Sequence, residues 1–114
     1  QLIGEWNPSK IKGQQFGVFE MNASGKISAN GDYQISFWFT DGSTRLDIRP
    51  VEMYKIGLKV AEDIHEGRTD SVTESNIYKF KIDNYETGAV YTVKASVRGD
   101  INNDSYGAVF IKKL

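Results

Sequence analysis

The chain has 114 residues, 39% apolar and 25% charged, with a formal net charge of −1. That length holds one core without metal or disulfide staples, and the composition is that of a globular domain rather than a disordered one. The absence of cysteine excludes disulfides, thiol catalysis and cysteine-ligated metals, and the lack of a basic excess argues against a nucleic-acid partner.

Read in chain order, the dominant signal is period-two alternation broken by turn residues about every ten positions. Phe16, Val18 and Phe19 mark an early strand. Tyr33, Ile35, Phe37 and Phe39 share one face of the next, with Gln34, Ser36, Trp38 and Thr40 on the other. Asp41-Gly42 follows, a two-residue hairpin signal because both central positions favour positive φ. The return strand runs through Thr44, Arg45, Leu46, Asp47 and Ile48.

That hairpin predicts a register. Phe37 faces Leu46 and Ile35 faces Ile48 on the apolar side. Trp38 meets Arg45, Ser36 meets Asp47 and Gln34 meets Arg49 on the wet side. Val51 and Met53 resume the apolar set with opposite parity, which predicts a bulge or crossing at Arg49-Pro50.

Lys59 to Ile64 supply a further candidate strand. Tyr78, Phe80 and Ile82 then alternate with Ile77, Lys79 and Lys81, and Tyr91, Val93, Ala95 and Val97 with Thr92, Lys94, Ser96 and Arg98. Ala108 to Ile111 make the last strand. No helical period and no internal repeat interrupts the pattern, and no apolar run reaches membrane-spanning length. The expectation is one all-β domain over residues 1–114, an antiparallel two-sheet sandwich of jelly-roll or Ig-like form with seven to nine short strands. The abrupt start at Gln1-Leu2 and the strand-like end at Lys113-Leu114 predict a module cut from a longer polypeptide, and a monomer is expected.

The order of motifs carries a resemblance. Ile3-Gly4-x-Trp6 precedes Gly31-x-Tyr33-x-Ile35-x-Phe37, followed by Arg45-Leu46-Asp47-Ile48, Val51-x-Met53 and Asp63-x-His65-x-Gly67. Asn76-x-Tyr78, Gly88-x-x-Tyr91-x-Val93-x-Ala95, Val97-Arg98-Gly99-Asp100 and Asp104-Ser105-x-Gly107 close the series. This resembles the C-terminal β-sandwich accessory domain of secreted Bacteroidetes glycoside hydrolases such as β-hexosaminidases. The resemblance implies an extracellular or cell-surface bacterial setting, a covalently linked glycoside hydrolase and a non-catalytic role. Two departures stand out: Trp38, where the resemblance implies a small or polar residue, and Ile101-Asn102-Asn103 before Asp104, where it implies glycine.

Trp38 is the leading candidate for function. A tryptophan on a wet sheet face leaves apolar surface that a sugar ring can cover, since its axial C–H groups stack on an indole while its hydroxyls need partners at the rim. Gln34, Arg45, Asp47 and Arg49 are the expected rim, and Tyr54, sharing the outward parity of Glu52, the expected extension. The competing reading is that a loop or a neighbouring domain covers Trp38.

The other candidates weigh less. Trp6 reads as a core plug, and Tyr85 and Tyr106 as loop packing. Asp63, His65 and Glu66 have an acid–base flavour, but no second histidine or nucleophile motif accompanies them, so loop-fixing hydrogen bonds are expected. Asp100, Asn102 and Asp104 fit the first three ligand positions of a calcium loop. Ser105 then stands in place of the glycine and Ile111 in place of the bidentate carboxylate. A hydrogen-bonded turn is the default there, with structural calcium the only cofactor left open. Arg98-Gly99-Asp100 is too short a match to carry weight. The sequence therefore points to a non-catalytic carbohydrate-binding module, with a purely structural accessory domain or an Ig-like adhesion module as alternatives.

Overall fold

In the computed structural model, residues 1–6, 16–39, 45–64, 67–69, 74–100 and 107–114 are described, together with most of their side chains. They form nine strands: β1 (Leu2–Trp6), β2 (Phe16–Asn22), β3 (Gly31–Phe39), β4 (Arg45–Lys55), β5 (Leu58–Asp63), β6 (Gly67–Thr69), β7 (Glu74–Ile82), β8 (Tyr91–Asp100) and β9 (Gly107–Lys113). Sheet A has the order β1-β9-β3-β7 and sheet B the order β2-β8-β4-β5, with β6 pairing β4. Every pairing is antiparallel. The chain crosses from one sheet to the other between β1 and β2, β2 and β3, and β3 and β4, which is jelly-roll winding rather than an Ig arrangement.

The alternation read from the sequence decides which residues are core. Tyr33, Ile35 and Phe37 on β3, Tyr78, Phe80 and Ile82 on β7, and Val109 and Ile111 on β9 are buried on the inner face of sheet A. Phe19 and Met21 on β2, Ile48, Val51 and Met53 on β4, and Tyr91, Val93 and Ala95 on β8 oppose them from sheet B. Phe37 ties the layers together, with ring centroids 5.9 Å from Phe19 and 5.6 Å, edge-on, from Tyr78. Ala23 and Ile27, beyond the end of β2, also enter this core.

The predicted bulge is present. Ile48 pairs with Val97 and Val51 with Ala95, so β4 spends one more residue than β8 across this interval. The extra residue restores Val51 and Met53 to the inner face, and Pro50, which cannot donate a ladder bond, sits inside the irregularity.

The predicted β3–β4 hairpin is not formed. β3 is flanked on both sides, by β7 and β9, and lies in sheet A, whereas β4 lies in sheet B. Phe37 therefore pairs with Asn76 and Val109 rather than Leu46, and Ile35 with Tyr78 and Ile111 rather than Ile48. The physical reason is that alternation fixes the face each strand buries but not its neighbour. Two strands with matching apolar faces satisfy the pattern side by side or stacked across a core. Asp41-Gly42 lies outside the described residues.

Candidate functional site

The jelly-roll order separates the six residues expected to form one platform. Gln34 and Trp38 are on β3, in sheet A, while Arg45, Asp47, Arg49 and Tyr54 are on β4, in sheet B. The cross-strand pairs Trp38–Arg45 and Gln34–Arg49 therefore do not exist. Trp38 pairs instead with Ser75 and Ala108, and Gln34 with Lys79 and Lys112. The side chains of Arg45, Asp47 and Arg49 lie outside the described set.

Tyr54 occupies the outer face of sheet B. Its hydroxyl donates to Glu52 Oε1 at 3.2 Å, and Lys94 Nζ stands 4.6 Å from its ring centroid. Lys59 lies 3.5 Å from the Glu52 carboxylate and 3.1 Å from that of Glu62. Partial desolvation and the Glu52 carboxylate raise the Tyr54 phenol above its ordinary range, and the bond to Glu62 raises Lys59. This face is a mesh of paired charges.

The outer face of sheet A is different. Because Tyr33, Ile35 and Phe37 point inward, Gln34, Ser36 and Trp38 point out, and Trp38 is half-buried. On β9 the same parity puts Ala108, Phe110 and Lys112 outward, and on β7 it does so for Ile77 and Lys79. Ser36 pairs with both Phe110 and Ile77, so Phe110 is the diagonal neighbour of Trp38. Leu2 on β1 pairs with Phe110 from the other side. Ala108, facing Trp38, is only 4% exposed yet stands apart from the core cluster, as expected of a residue covered on the outer face.

The result is an apolar strip of Trp38, Phe110, Ile77 and Leu2, with Ser36 in its middle and Gln34, Lys79 and Lys112 at one end. The indole and phenyl rings offer stacking surface, and the amide, hydroxyl and ammonium groups offer donors and acceptors beside it. Sequence reasoning missed Phe110 as a site residue. Its signal was the parity of Ala108, Phe110 and Lys112 against Val109 and Ile111, which becomes informative once β9 is known to pair with β3.

The remaining candidates resolve as follows. Asp63 ends β5, and its Oδ2 accepts the backbone N–H of Lys79 at 3.1 Å, so it fastens the edge of sheet B to that of sheet A. His65 and Glu66 lie outside the described residues, as do Tyr106, Asn102 and Asp104. The backbone of Asp100 ends β8. Trp6 pairs with Gly107 in the β1–β9 ladder. Tyr85 packs as a loop residue, stacked on Tyr91 at 6.1 Å, with its N–H donating to Asn30 Oδ1 at 2.6 Å. Among the described residues no group of three or more histidine, aspartate or glutamate side chains is placed to hold a metal, and no helix is long and apolar enough to cross a membrane.

No family model and no curated protein matches the chain. Several solved structures are similar. A family 61 carbohydrate-binding module in complex with β-1,4-galactotriose has a TM-score of 0.47 at 19% identity, over 87% of this chain and 62% of its own. A family 16 carbohydrate-binding module has a TM-score of 0.44 at 11% identity, over 96% and 74%. An arabinose-bound α-L-arabinofuranosidase has a TM-score of 0.45 at 13% identity, over 88% of this chain and 18% of its own. The chain thus spans less than two thirds of the first and under a fifth of the last. The class it belongs to, a jelly-roll β-sandwich, rests on its own strand order.

Proposed function

We propose that this domain is a non-catalytic carbohydrate-binding module that holds a polysaccharide against the outer face of sheet A. The observation that carries the reading is the adjacency of Trp38 and Phe110 on that face, with Gln34, Lys79 and Lys112 beside them. A pyranose ring stacks its C–H face on the indole, a neighbouring residue of the glycan covers Phe110, and the hydroxyls take up the amide and ammonium groups. Stacking with a few exposed hydrogen bonds gives modest affinity. Such binding serves a covalently attached glycoside hydrolase, in a secreted bacterial enzyme, by raising the effective concentration of substrate.

A structural reading is favoured by one observation: Leu2 and Ile77, 45% and 47% exposed, extend the apolar strip as a docking face for a catalytic domain would. Affinity electrophoresis on β-glucan, mannan, xylan and chitin-derived gels tests the carbohydrate reading. The wild-type chain is expected to be retarded on at least one gel, and Trp38→Ala to lose most of that retardation while keeping its thermal transition. Equal migration of both proteins in every gel rejects the proposal.

A further inference from the structure

A concave surface lies at the end of the sandwich where the β4–β5 hairpin meets the β7–β8 segment. The β4–β5 hairpin and the segment joining β7 to β8 enclose a cleft of about 510 Å³, within the size range of small-molecule sites. One wall is aliphatic: Ile56, Leu58 and Val60, which are 64%, 74% and 44% exposed. The facing wall is polar, with Lys81, Asp83, Asn84 and Glu86, and the buried Tyr91 contributes to the lining.

Two features mark the aliphatic wall as more than incidental. The two-residue turn places Ile56 at φ 48° and Gly57 at φ 81°. Positive φ at both positions is the usual hairpin geometry, but asparagine, aspartate or glycine normally fills the first. A β-branched residue there is a steric outlier, and such outliers cluster at binding and switch sites. The strand β5 is also bulged at Val60, because Met53 pairs with Ala61 and Tyr54 with Lys59. The bulge turns Lys59 to the outer face, where it pairs with Glu52 and Glu62, and leaves Leu58 opposite Lys55 beside the cleft.

The polar wall is held and electrically balanced. Lys55 Nζ donates to the Asn84 carbonyl at 3.0 Å and lies 3.2 Å from Glu86 Oε1, while Lys81 Nζ lies 3.9 Å from Asp83 Oδ1. Two cations face two carboxylates, so an anionic ligand gains no net attraction. An apolar wall opposite a neutral set of donors and acceptors matches one neutral sugar ring, with its C–H face on Ile56 and Leu58 and its hydroxyls toward Asp83, Asn84 and Glu86.

We propose that this cleft is a second, independent glycan site that takes a single neutral pyranose unit, such as a chain end, beside the platform on sheet A. The inference rests on the carbohydrate-binding reading and names a different surface for it. The test is amide chemical-shift mapping on the ¹⁵N-labelled chain. It is titrated with methyl β-glucopyranoside and with methyl N-acetyl-β-glucosaminide, with glucuronate as the charged control.

Saturable shifts at residues 55–60 and 81–86, separate from any on β3 and β9 and no stronger with glucuronate than with the neutral sugars, are expected. Leu58→Asp, at an exposed position, weakens them about tenfold, and Trp38→Ala leaves them unchanged. Shifts on β3 and β9 alone overturn the cleft and leave the sheet A platform standing. A stronger response to glucuronate than to the neutral sugars overturns the charge argument and the ligand class with it. Silence at both surfaces overturns the cleft and the carbohydrate reading together.

Discussion

The hydroxyl of Tyr78, on β7 of sheet A, donates to the carbonyl of Ile48, on β4 of sheet B, at 3.3 Å through the buried interior. Ile48 is the last residue in register before the β4 bulge, where the ladder to β8 is interrupted. A side chain from the opposite sheet therefore serves a carbonyl at the point where the ladder fails, and the bulge at Arg49-Pro50 and the packing of the two sheets become one feature. Removing the hydroxyl leaves that carbonyl buried without this partner. Tyr78→Phe is expected to cost about 1–3 kcal/mol in denaturant unfolding with an unchanged m-value. A loss below a few tenths of a kcal/mol would show that the bond contributes nothing net.

Gly4 is fixed by a neighbour rather than by its backbone. A Cβ built there collides with the thioether of Met21, which is buried on β2 of the opposite sheet. Close approach of β1 to β2 thus explains the glycine in Ile3-Gly4-x-Trp6. Gly4→Val should force Met21 aside and destabilise by about 1–3 kcal/mol, read as a fall in thermal midpoint. Pairing it with Met21→Ala should recover part of the loss, because the cavity then receives the added methyls; additive losses would contradict the contact.

Ile56 carries strain that an ordinary hairpin residue would remove. Ile56→Asn matches the preferred residue for the first position of this turn and should raise stability by roughly 1 kcal/mol. The same change deletes part of the aliphatic wall of the end cleft, so stability and cleft binding move in opposite directions. A variant that is less stable than the wild type would refute the strain assignment.

The charge mesh on sheet B sets an alkaline limb. The folded state raises both Tyr54 and Lys59, so it favours their protonated forms. Their stabilising contribution is complete below the ordinary tyrosine and lysine ranges and is lost as pH rises through the raised folded values. Glu52→Gln removes a carboxylate that acts on both groups, and the Tyr54 ring resonance should then titrate at lower pH. An unchanged midpoint would mean that Glu52 does not act on the phenol.

The core was legible because period-two alternation reports burial directly. Tyr33, Ile35, Phe37, Tyr78 and Val93 all follow from it, as does the bulge at Pro50, where the parity changes. The pairing of strands was not legible. The inner faces of β3 and β4 match each other equally well side by side or across a core, and in a jelly roll they meet across the core. That ambiguity misassigned the surroundings of Trp38. Arg45, Asp47 and Arg49 belong to sheet B, while Phe110, separated from Trp38 by most of the chain, is its diagonal neighbour. Ala23 and Ile27 escaped notice because loop burial has no period.

Glycan binding at the Trp38 face of sheet A, as proposed, requires the two outer faces of the sandwich to respond differently to substitution. Affinity-gel retention should be measured in parallel for Trp38→Ala on sheet A and Tyr54→Ala on sheet B, each checked for an intact thermal transition. Trp38→Ala is expected to lose most of the wild-type retardation, keeping only what the end cleft contributes through chain ends, whereas Tyr54→Ala is retarded like the wild type. Retention kept in full by Trp38→Ala, or lost only in Tyr54→Ala, would contradict binding at the Trp38 face.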